Sequence, residues 1–174
     1  MLHRIRKLPW RFIVPWAAFA LAVAAAVTFG VLWQQGVAEE DQRDEVTEVA
    51  RSFVSALTNF SAATIDVDAT EIKSYAVGDF KEEVETFFGA EAIAALKEAE
   101  AESTGEIQAL FLQSLDEEEA SVFGVVEQSI ANNSLNEPRT DTLRLEVGLI
   151  ETSEGWKVNR VDIFQSPGSG LPIE

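Results

Sequence analysis

The chain has 174 residues and a formal net charge of −17 at pH 7, from 13 lysines and arginines against 30 aspartates and glutamates. This acidic excess argues against a protein that binds nucleic acids, because such binding requires clustered basic charge. A hydrophobic content of 47% is too high for a disordered chain. The chain lacks cysteine, which excludes disulfides, Cys-ligated metals and thiol catalysis, and its single histidine, His3, lies in a basic N-terminal tip.

An uncharged apolar run from Phe12 to Trp33 predicts a transmembrane helix. As a helix the run spans roughly 33 Å, enough for a hydrocarbon core of about 30 Å. Residues 1–11 are basic and acidic residues follow the run, so the positive-inside rule places the tip in the cytoplasm and residues 34–174 outside. The alternative is a cleaved signal peptide ending near Gly36-Val37-Ala38, although the run exceeds the usual h-region. Both interpretations export the acidic domain.

The exported part, residues 34–165, has the length of one domain, and residues 166–174 are predicted to form a loose tail. Apolar residues at spacings of three and four predict an amphipathic helix over about 40–60. A second, short helix is predicted over Thr70–Val77. A third helix is predicted to begin at Asp79, with Asp79 as N-cap and Glu82 completing a capping box. Gly89 interrupts this third helix.

Four segments with alternating apolar residues predict antiparallel strands. They cover Glu106–Leu115, residues 120–130, Thr142–Glu151 and Trp156–Phe164. The first strand is predicted to place on one face Ile107, Ala109, Phe111 and Leu115. The apolar parity of the last strand changes after Val158, which predicts a β-bulge near Asn159-Arg160. Three helices followed by antiparallel strands predict an α+β fold.

Short motifs along nearly the whole chain resemble the Mce-associated membrane proteins of actinobacteria. The motifs are Ala50-Arg51-Ser52-Phe53, Asp66-Val67-Asp68-Ala69-Thr70, Tyr75-Ala76-Val77-Gly78-Asp79-Phe80, Asn132-Asn133 and Trp156-Lys157-Val158-Asn159-Arg160-Val161. The resemblance implies a nuclear transport factor 2-like (NTF2-like, SnoaL-like) cone of three helices packed on a curved antiparallel sheet. It also implies a non-enzymatic accessory of an Mce-type lipid or sterol import system in the cell envelope. The plasma membrane and the Mce components would be its partners.

Two other functions fit the same organisation. VirB8-like scaffold components of conjugation and secretion machines also place an NTF2-like domain after one membrane helix. A module that binds a lipid or steroid in its cone is the other function, and it requires an apolar pocket with convergent polar groups. An apolar ligand therefore stays among the expected partners.

Five residues are candidates for a pocket or its mouth: Asp66, Asp68, Tyr75, Trp156 and Asp162. Asp66 and Asp68 are expected in a solvated turn before a helix, because two carboxylates supply too few ligands for calcium. Trp156 is expected to anchor the core.

Catalysis of the ketosteroid-isomerase type needs a carboxylate or histidine base opposite a tyrosine or protonated aspartate. The exported part has no histidine and only one tyrosine, Tyr75, and Asp162 would serve only if the bulge turned it inward. We therefore expect no catalytic, cofactor-binding or metal-binding residue.

Overall fold

The computed structural model describes residues 40–165. The chain divides into two compact units, Met1–Gln42 and Arg43–Glu174. Apart from residues 40–42, the fold described here belongs to the second unit. The predicted basic tip, the predicted membrane span Phe12–Trp33 and the tail 166–174 lie outside the described residues. Within residues 40–165, no helix is both long enough and apolar enough to cross a bilayer.

Four helices and five strands make up the described part of the chain. They are α1 (residues 40–58), β1 (Phe60–Ser61), α2 (Ile65–Tyr75), α3 (Gly78–Phe87), α4 (Ala90–Glu98), β2 (Glu102–Leu115), β3 (Glu119–Ala131), β4 (Arg139–Thr152) and β5 (Gly155–Gln165). The strands form one antiparallel sheet in the order β1-β2-β3-β4-β5. This arrangement confirms the predicted α+β class and all four predicted strands, each of which is longer than expected.

The core lies between α1, α2 and the inner face of the sheet, which is the face that packs against the helices. Alternate residues of β3 and β4 are buried on this face, as their period-2 pattern predicts. These are Ala120, Val122 and Val126 of β3 and Leu143, Leu145, Val147 and Leu149 of β4. From α1, the fully buried Phe53 packs edge-on against Tyr75 and Phe80, with ring centroids 6.0 Å apart in both pairs. Burying such a ring contributes roughly 1.5–3 kcal/mol.

Helix α2 begins earlier than its predicted start at Thr70. Its buried side chains, Ile65, Ala69 and Ile72, follow helical spacing from the first residue of the helix. The expectation that Asp66 and Asp68 form a turn before the helix was wrong, since both lie in its first turn. Carboxylates are favourable there because they face the positive end of the helix dipole.

Helix α3 begins at Gly78, and Val77 is its N-cap in an extended conformation with no side-chain cap hydrogen bond. The prediction of Asp79 as N-cap was therefore wrong, because Asp79 lies inside the first turn. Gly89 separates α3 from α4 and is the N-cap of the latter, with φ −71° and ψ 168°. The predicted third helix is consequently two helices, because the helical conformation ends at Phe87 and begins again at Ala90.

Two strands contain register shifts. In β2 the shifts lie between Ile107 and Ala109 and between Leu112 and Ser114. The predicted common face of β2 was wrong because the first shift changes the parity: Leu110 and Leu112 pack against the core, whereas Phe111 is 58% exposed. In β5, Val158 pairs with Leu149 and Arg160 pairs with Gly148. That shift confirms the predicted bulge near Asn159-Arg160.

The outer edge of β2 is only partly covered. Strand β1 pairs with Glu102 and Ser103. The next contact comes from Asn59, whose Nδ2 donates to the Gly105 carbonyl oxygen at 3.2 Å while the Gly105 N–H donates to Oδ1 at 3.0 Å. The close approach requires glycine, since a Cβ at this position would lie 2.3 Å from Thr58 Oγ1. Within residues 40–165, no strand pairs with residues 106–115 along this outer edge of β2.

Candidate functional site

An apolar cavity of about 710 Å³ lies between the inner face of the sheet and helices α1, α3 and α4. We call it the cone cavity. Its lining includes Leu57 at the end of α1, Phe88 after α3, and Leu143 and Ile163 on the sheet. Its volume falls within the range of roughly 300–1,000 Å³ that is usual for sites binding small molecules. The cone cavity is open to solvent on one side, so it is a cleft between the helices and the sheet rather than an enclosed void.

Three of the four residues that α4 and its C-cap contribute to the lining are alanines, and the fourth is Leu96. Ala92, Ala95 and Ala99 line the wall on this side. No residue of α4 is buried, whereas α2 buries three of its side chains. Alanine extends too little from the helix to reach the sheet, so the space between them is left unfilled.

The mouth of the cavity is apolar. Phe87 and Ile163 line the cavity, and they are 70% and 55% exposed, respectively. The neighbouring Phe88 is buried, and its ring centroid lies 5.0 Å from that of Phe87. A smaller cavity of about 220 Å³ shares these phenylalanines and adds Glu83 and Val161 to the lining. Large exposed apolar side chains at an opening are typical of sites that receive an apolar partner.

The polar lining of the cone cavity consists of two side chains, Thr58 and Gln128. The Thr58 hydroxyl donates to the Val54 carbonyl oxygen at 2.8 Å. Gln128 Nε2 donates to Ser103 Oγ at 2.8 Å, and Ser103 Oγ donates to the Thr58 carbonyl oxygen at 2.7 Å. Thr58, Ser103 and Gln128 are all buried. The inner face of the sheet thus carries one fixed amide at an otherwise apolar surface.

Three phenylalanines form a second apolar feature on the outer face of the sheet, which we call the aromatic patch: Phe111, Phe123 and Phe164. Phe111 of β2 stands opposite Phe123 of β3 in the strand register. The ring centroids of Phe123 and Phe164 are 6.2 Å apart. Phe111 and Phe164 are 58% and 63% exposed. Their side chains project away from the core, so core packing does not account for them.

The sequence candidates Asp66 and Asp68 do not line the cone cavity. Asp66 forms an ion pair with Lys97 of α4. Asp68 Oδ2 accepts hydrogen bonds from Thr64 Oγ1 at 2.7 Å and from the Ser61 N–H at 3.4 Å. Both carboxylates therefore lie in the first turn of α2 with partners in neighbouring segments, and neither lies in a turn before the helix as expected.

The other candidates also lie outside the cavity. Tyr75 lines a polar surface depression with Arg51 and Glu71, and its ring packs on Phe53. Trp156 is 4% exposed and belongs to the core. The β5 bulge does not turn Asp162 inward: its side chain is 43% exposed, and Oδ2 accepts a hydrogen bond from Arg160 at 2.6 Å.

Sequence reasoning missed Gln128, although the sequence contained a signal for it. Gln128 has the same parity as Val122 and Val126, which occupy the inner face of β3. A polar residue at an apolar position of a strand is buried with a partner or faces a cavity. Ser103 carried no comparable signal, since its strand was predicted to begin only at Glu106.

The side chains that line the cone cavity are apolar except for Thr58 and Gln128. Among the described residues, its lining contains no aspartate, glutamate, tyrosine or histidine. Residues 40–165 also contain no group of histidine, aspartate or glutamate side chains that could hold a metal ion. The arrangement supplies an apolar volume and hydrogen-bonding groups at one wall.

Comparison with known proteins identifies the fold. A search with family models finds no match, and a search of curated protein sequences finds none either. An IcmL-like type IV secretion system protein from Legionella pneumophila matches with a TM-score of 0.59 and 14% identity, over 74% of this chain and 95% of the other. Agrobacterium tumefaciens VirB8 matches with a TM-score of 0.56 and 10% identity, over 74% and 96%. An NTF2-like superfamily protein from Salmonella enterica matches with a TM-score of 0.52 and 12% identity, over 77% and 97%. The fold is NTF2-like.

This result confirms the coarser part of the resemblance seen in the sequence. The NTF2-like cone is present, with four helices in the described residues instead of the three expected. Identities of 10–14% show a shared fold and nothing finer. The Mce-associated assignment therefore stays a prediction.

Proposed function

We propose that this protein is a membrane-anchored, non-enzymatic scaffold component of an envelope secretion machine of the VirB8 type. The observation that carries the proposal is the fold match to two secretion proteins, the IcmL-like protein and VirB8, each covered over at least 95% of its length. An NTF2-like fold serves many functions, so the sequence and the surface must supply the remaining support.

The sequence supports the anchored topology. The apolar run Phe12–Trp33 follows a basic tip and precedes the acidic domain, which is the charge order of a helix with its N-terminus in the cytoplasm. In this proposal residues 34–165 lie on the far side of the plasma membrane. The anchor would hold the domain beside other membrane components and so raise its effective concentration against them.

The aromatic patch supports a role in protein contacts. Phe111 and Phe164 leave more than half of their side-chain surface in water. Contiguous exposed apolar surface marks interaction sites, and aromatic residues are enriched at the centres of protein interfaces. Among residues 40–165, the lining of the cone cavity contains no acid–base pair, which favours a scaffold over an enzyme. We therefore expect the aromatic patch to contact a protein subunit of the machine.

Affinity capture of the full-length chain from detergent-solubilised native membranes tests this function. We expect secretion subunits to be recovered with the wild-type chain and lost with the double variant Phe111→Ser/Phe164→Ser. Val67→Ser is the matched control, because Val67 is 70% exposed but lies on α2, outside the patch. Recovery of secretion subunits at equal levels with all three chains would remove the patch from the proposal. Recovery of none would overturn the proposal itself.

The Mce accessory role is the second candidate, and specific motifs favour it. The Gly78-Asp79-Phe80 element opens α3, and the Trp156–Val161 motif covers the start of β5, with Trp156 and Val158 buried. These are the positions at which the resemblance places a helix start and a closing strand. The same capture experiment separates the candidates, because Mce components would then replace the secretion subunits. Secretion ATPase genes or Mce genes beside this gene would give an independent answer.

A further inference from the structure

Helix α3 and strand β5 both lead towards the mouth of the cone cavity. Before α3 begins, the Val77 N–H donates to the Val158 carbonyl oxygen of β5 at 2.9 Å. Near the ends of both elements, Phe87 and Ile163 line the same two cavities. Gln165, the last residue of β5, comes two residues after Ile163, which is roughly 7 Å along a strand. The chain therefore leaves the sheet beside the mouth.

The mouth has apolar surface and an unpaired strand edge beside it. Phe87 and Ile163 are both exposed. Within residues 40–165, no strand pairs with β5 beyond Val158 along the edge that faces away from β4. Proteins usually cover a strand edge and a group of large apolar side chains when the two occur together.

The residues that follow β5 have the sequence of a cover. Ser166-Pro167-Gly168-Ser169 has proline and glycine at the two central positions of a type II turn, which reverses the direction of the chain. The apolar residues Leu171-Pro172-Ile173 come directly after it. From Ile163 to Ile173 the sequence contains no charged residue, although 25% of the whole chain is charged. This segment therefore suits an apolar surface.

The length of the tail, residues 166–174, is sufficient for it to reach the mouth. Leu171 follows Gln165 by six residues, which span at most about 20 Å. That reach exceeds the roughly 7 Å that separate Gln165 from Ile163 along β5. Because the tail starts beside the mouth, closing so short a loop costs little entropy, and its effective concentration there is roughly millimolar. A separate molecule has no such advantage.

We propose that the tail turns back at Pro167-Gly168 and covers the mouth of the cone cavity, with Leu171 and Ile173 packed on Phe87 and Ile163. The composition of the tail predicts a loose segment, whereas here it is held against the domain. A molecule from outside must displace the tail before it reaches the cavity. This inference goes beyond the scaffold function and does not depend on it.

Disulfide cross-linking of the full-length chain in detergent tests the contact. The chain contains no cysteine, so an introduced pair supplies the only thiols. Glu83→Cys/Glu174→Cys joins the wall of the smaller cavity to the residue after Ile173. Glu85→Cys/Glu174→Cys is the matched control. Glu85 is an exposed residue of α3 that lies roughly 200° from Glu83 around the helix and lines neither cavity.

The rate of disulfide formation within one chain gives the result. Linked peptides from the monomer are counted by mass spectrometry after mild oxidation with copper phenanthroline. We expect the Glu83 pair to form at least tenfold faster than the Glu85 pair, because a disulfide needs Cα atoms within about 7 Å of each other. Equal rates would overturn the proposal, since an undocked tail reaches both sides of α3. Disulfides formed only between chains would assign the cover to a second copy and would also overturn it.

Variants of the tail itself identify the side chains that dock. In the Glu83→Cys/Glu174→Cys background, Leu171→Ser/Ile173→Ser should slow disulfide formation to the rate of the Glu85 pair. Both substitutions lie outside the described core, so the folded domain stays intact. Val67→Ser, which replaces an exposed apolar residue of α2, should leave the rate unchanged. An undiminished rate in Leu171→Ser/Ile173→Ser would refute the assigned contacts.

Discussion

The contact between α1 and β2 at Gly105 makes a sharp prediction about stability. In Gly105→Ala the new Cβ would lie 2.3 Å from Thr58 Oγ1 and 2.4 Å from Thr58 Cβ. Ordinary van der Waals contact begins near 3.4 Å, so the end of α1 must move away by about 1 Å. A movement of this size also breaks the two hydrogen bonds between Asn59 and the Gly105 backbone.

The magnitude follows from these contacts. The two hydrogen bonds contribute roughly 1 kcal/mol each, and overpacking costs roughly 1–3 kcal/mol. Replacing glycine also restricts the unfolded chain, which returns roughly 0.4–1 kcal/mol. We therefore expect Gly105→Ala to lower the free energy of unfolding by about 2–4.6 kcal/mol.

Urea denaturation of the full-length chain in detergent measures this change. Fluorescence of Trp156, which is buried, reports on the core once Trp10, Trp16 and Trp33 are replaced by phenylalanine. Gly124→Ala is the matched control, since its Cβ would meet only the flexible end of Leu110 at 3.2 Å and Leu145 at ordinary contact distance. We expect the control to lose less than about 1 kcal/mol. Equal losses in the two variants would refute the argument from close approach.

Three further predictions use the same urea denaturation, monitored by circular dichroism instead of tryptophan fluorescence. Asn59→Ala removes both hydrogen bonds to Gly105 without a clash and should cost about 1–2 kcal/mol, and a loss below about 0.3 kcal/mol would contradict the bridging role. Trp156→Ala empties a core position that is 4% exposed and should cost roughly 3–5 kcal/mol, and a loss below about 1 kcal/mol would contradict its role as a core anchor. Lys97→Met removes an exposed ion pair with Asp66 and should change stability by less than about 1 kcal/mol, and a larger loss would show that this pair secures α4 to α2.

The sheet was the most predictable part of the fold because strand alternation is a local signal. Leu143, Leu145 and Val147 alternate with polar neighbours, and all three are buried as expected. The β5 bulge could be predicted because alternating apolar residues occur both before and after the point in β5 at which their parity changes. In β2, by contrast, Leu110, Phe111 and Leu112 are consecutive apolar residues. The register shifts that sort them between the two faces depend on pairing with β3, which the sequence of β2 alone does not contain.

The helix starts were harder to predict because acidic residues fit two interpretations. Asp66 and Asp68 are compatible with a turn before a helix and with the first turn of the helix itself. The buried positions Ile65 and Ala69 decide between them, and they are visible only once α2 packs on the core. At Asp79 the capping box failed for a related reason, since Val77 and not Asp79 adopts the extended N-cap conformation.

Most of the candidate site could not be predicted from sequence patterns. A cavity is the space between elements, and Ala92 looks like any alanine of an amphipathic helix until α4 is placed opposite the sheet. The five sequence candidates were chosen for their chemistry as isolated residues, and none of them lines the cone cavity. Gln128 could have been predicted, because it is a polar residue at an apolar position of its own strand.

Within residues 40–165, no strand covers the edge of β2 after Ser103, and this has a consequence for how the protein behaves at high concentration. Residues 107–115 carry no charge, and an exposed apolar edge of this kind is where neighbouring molecules start to polymerise through their backbones. The register shifts after Ile107 and Leu112 twist the strand at two points and leave only a short straight segment between them. A strand of a second molecule therefore cannot form a continuous ladder of backbone hydrogen bonds with β2. Deletion of Gln108 removes the first shift and lengthens the straight segment of β2, so we expect this variant to form fibrils at concentrations at which the wild type does not.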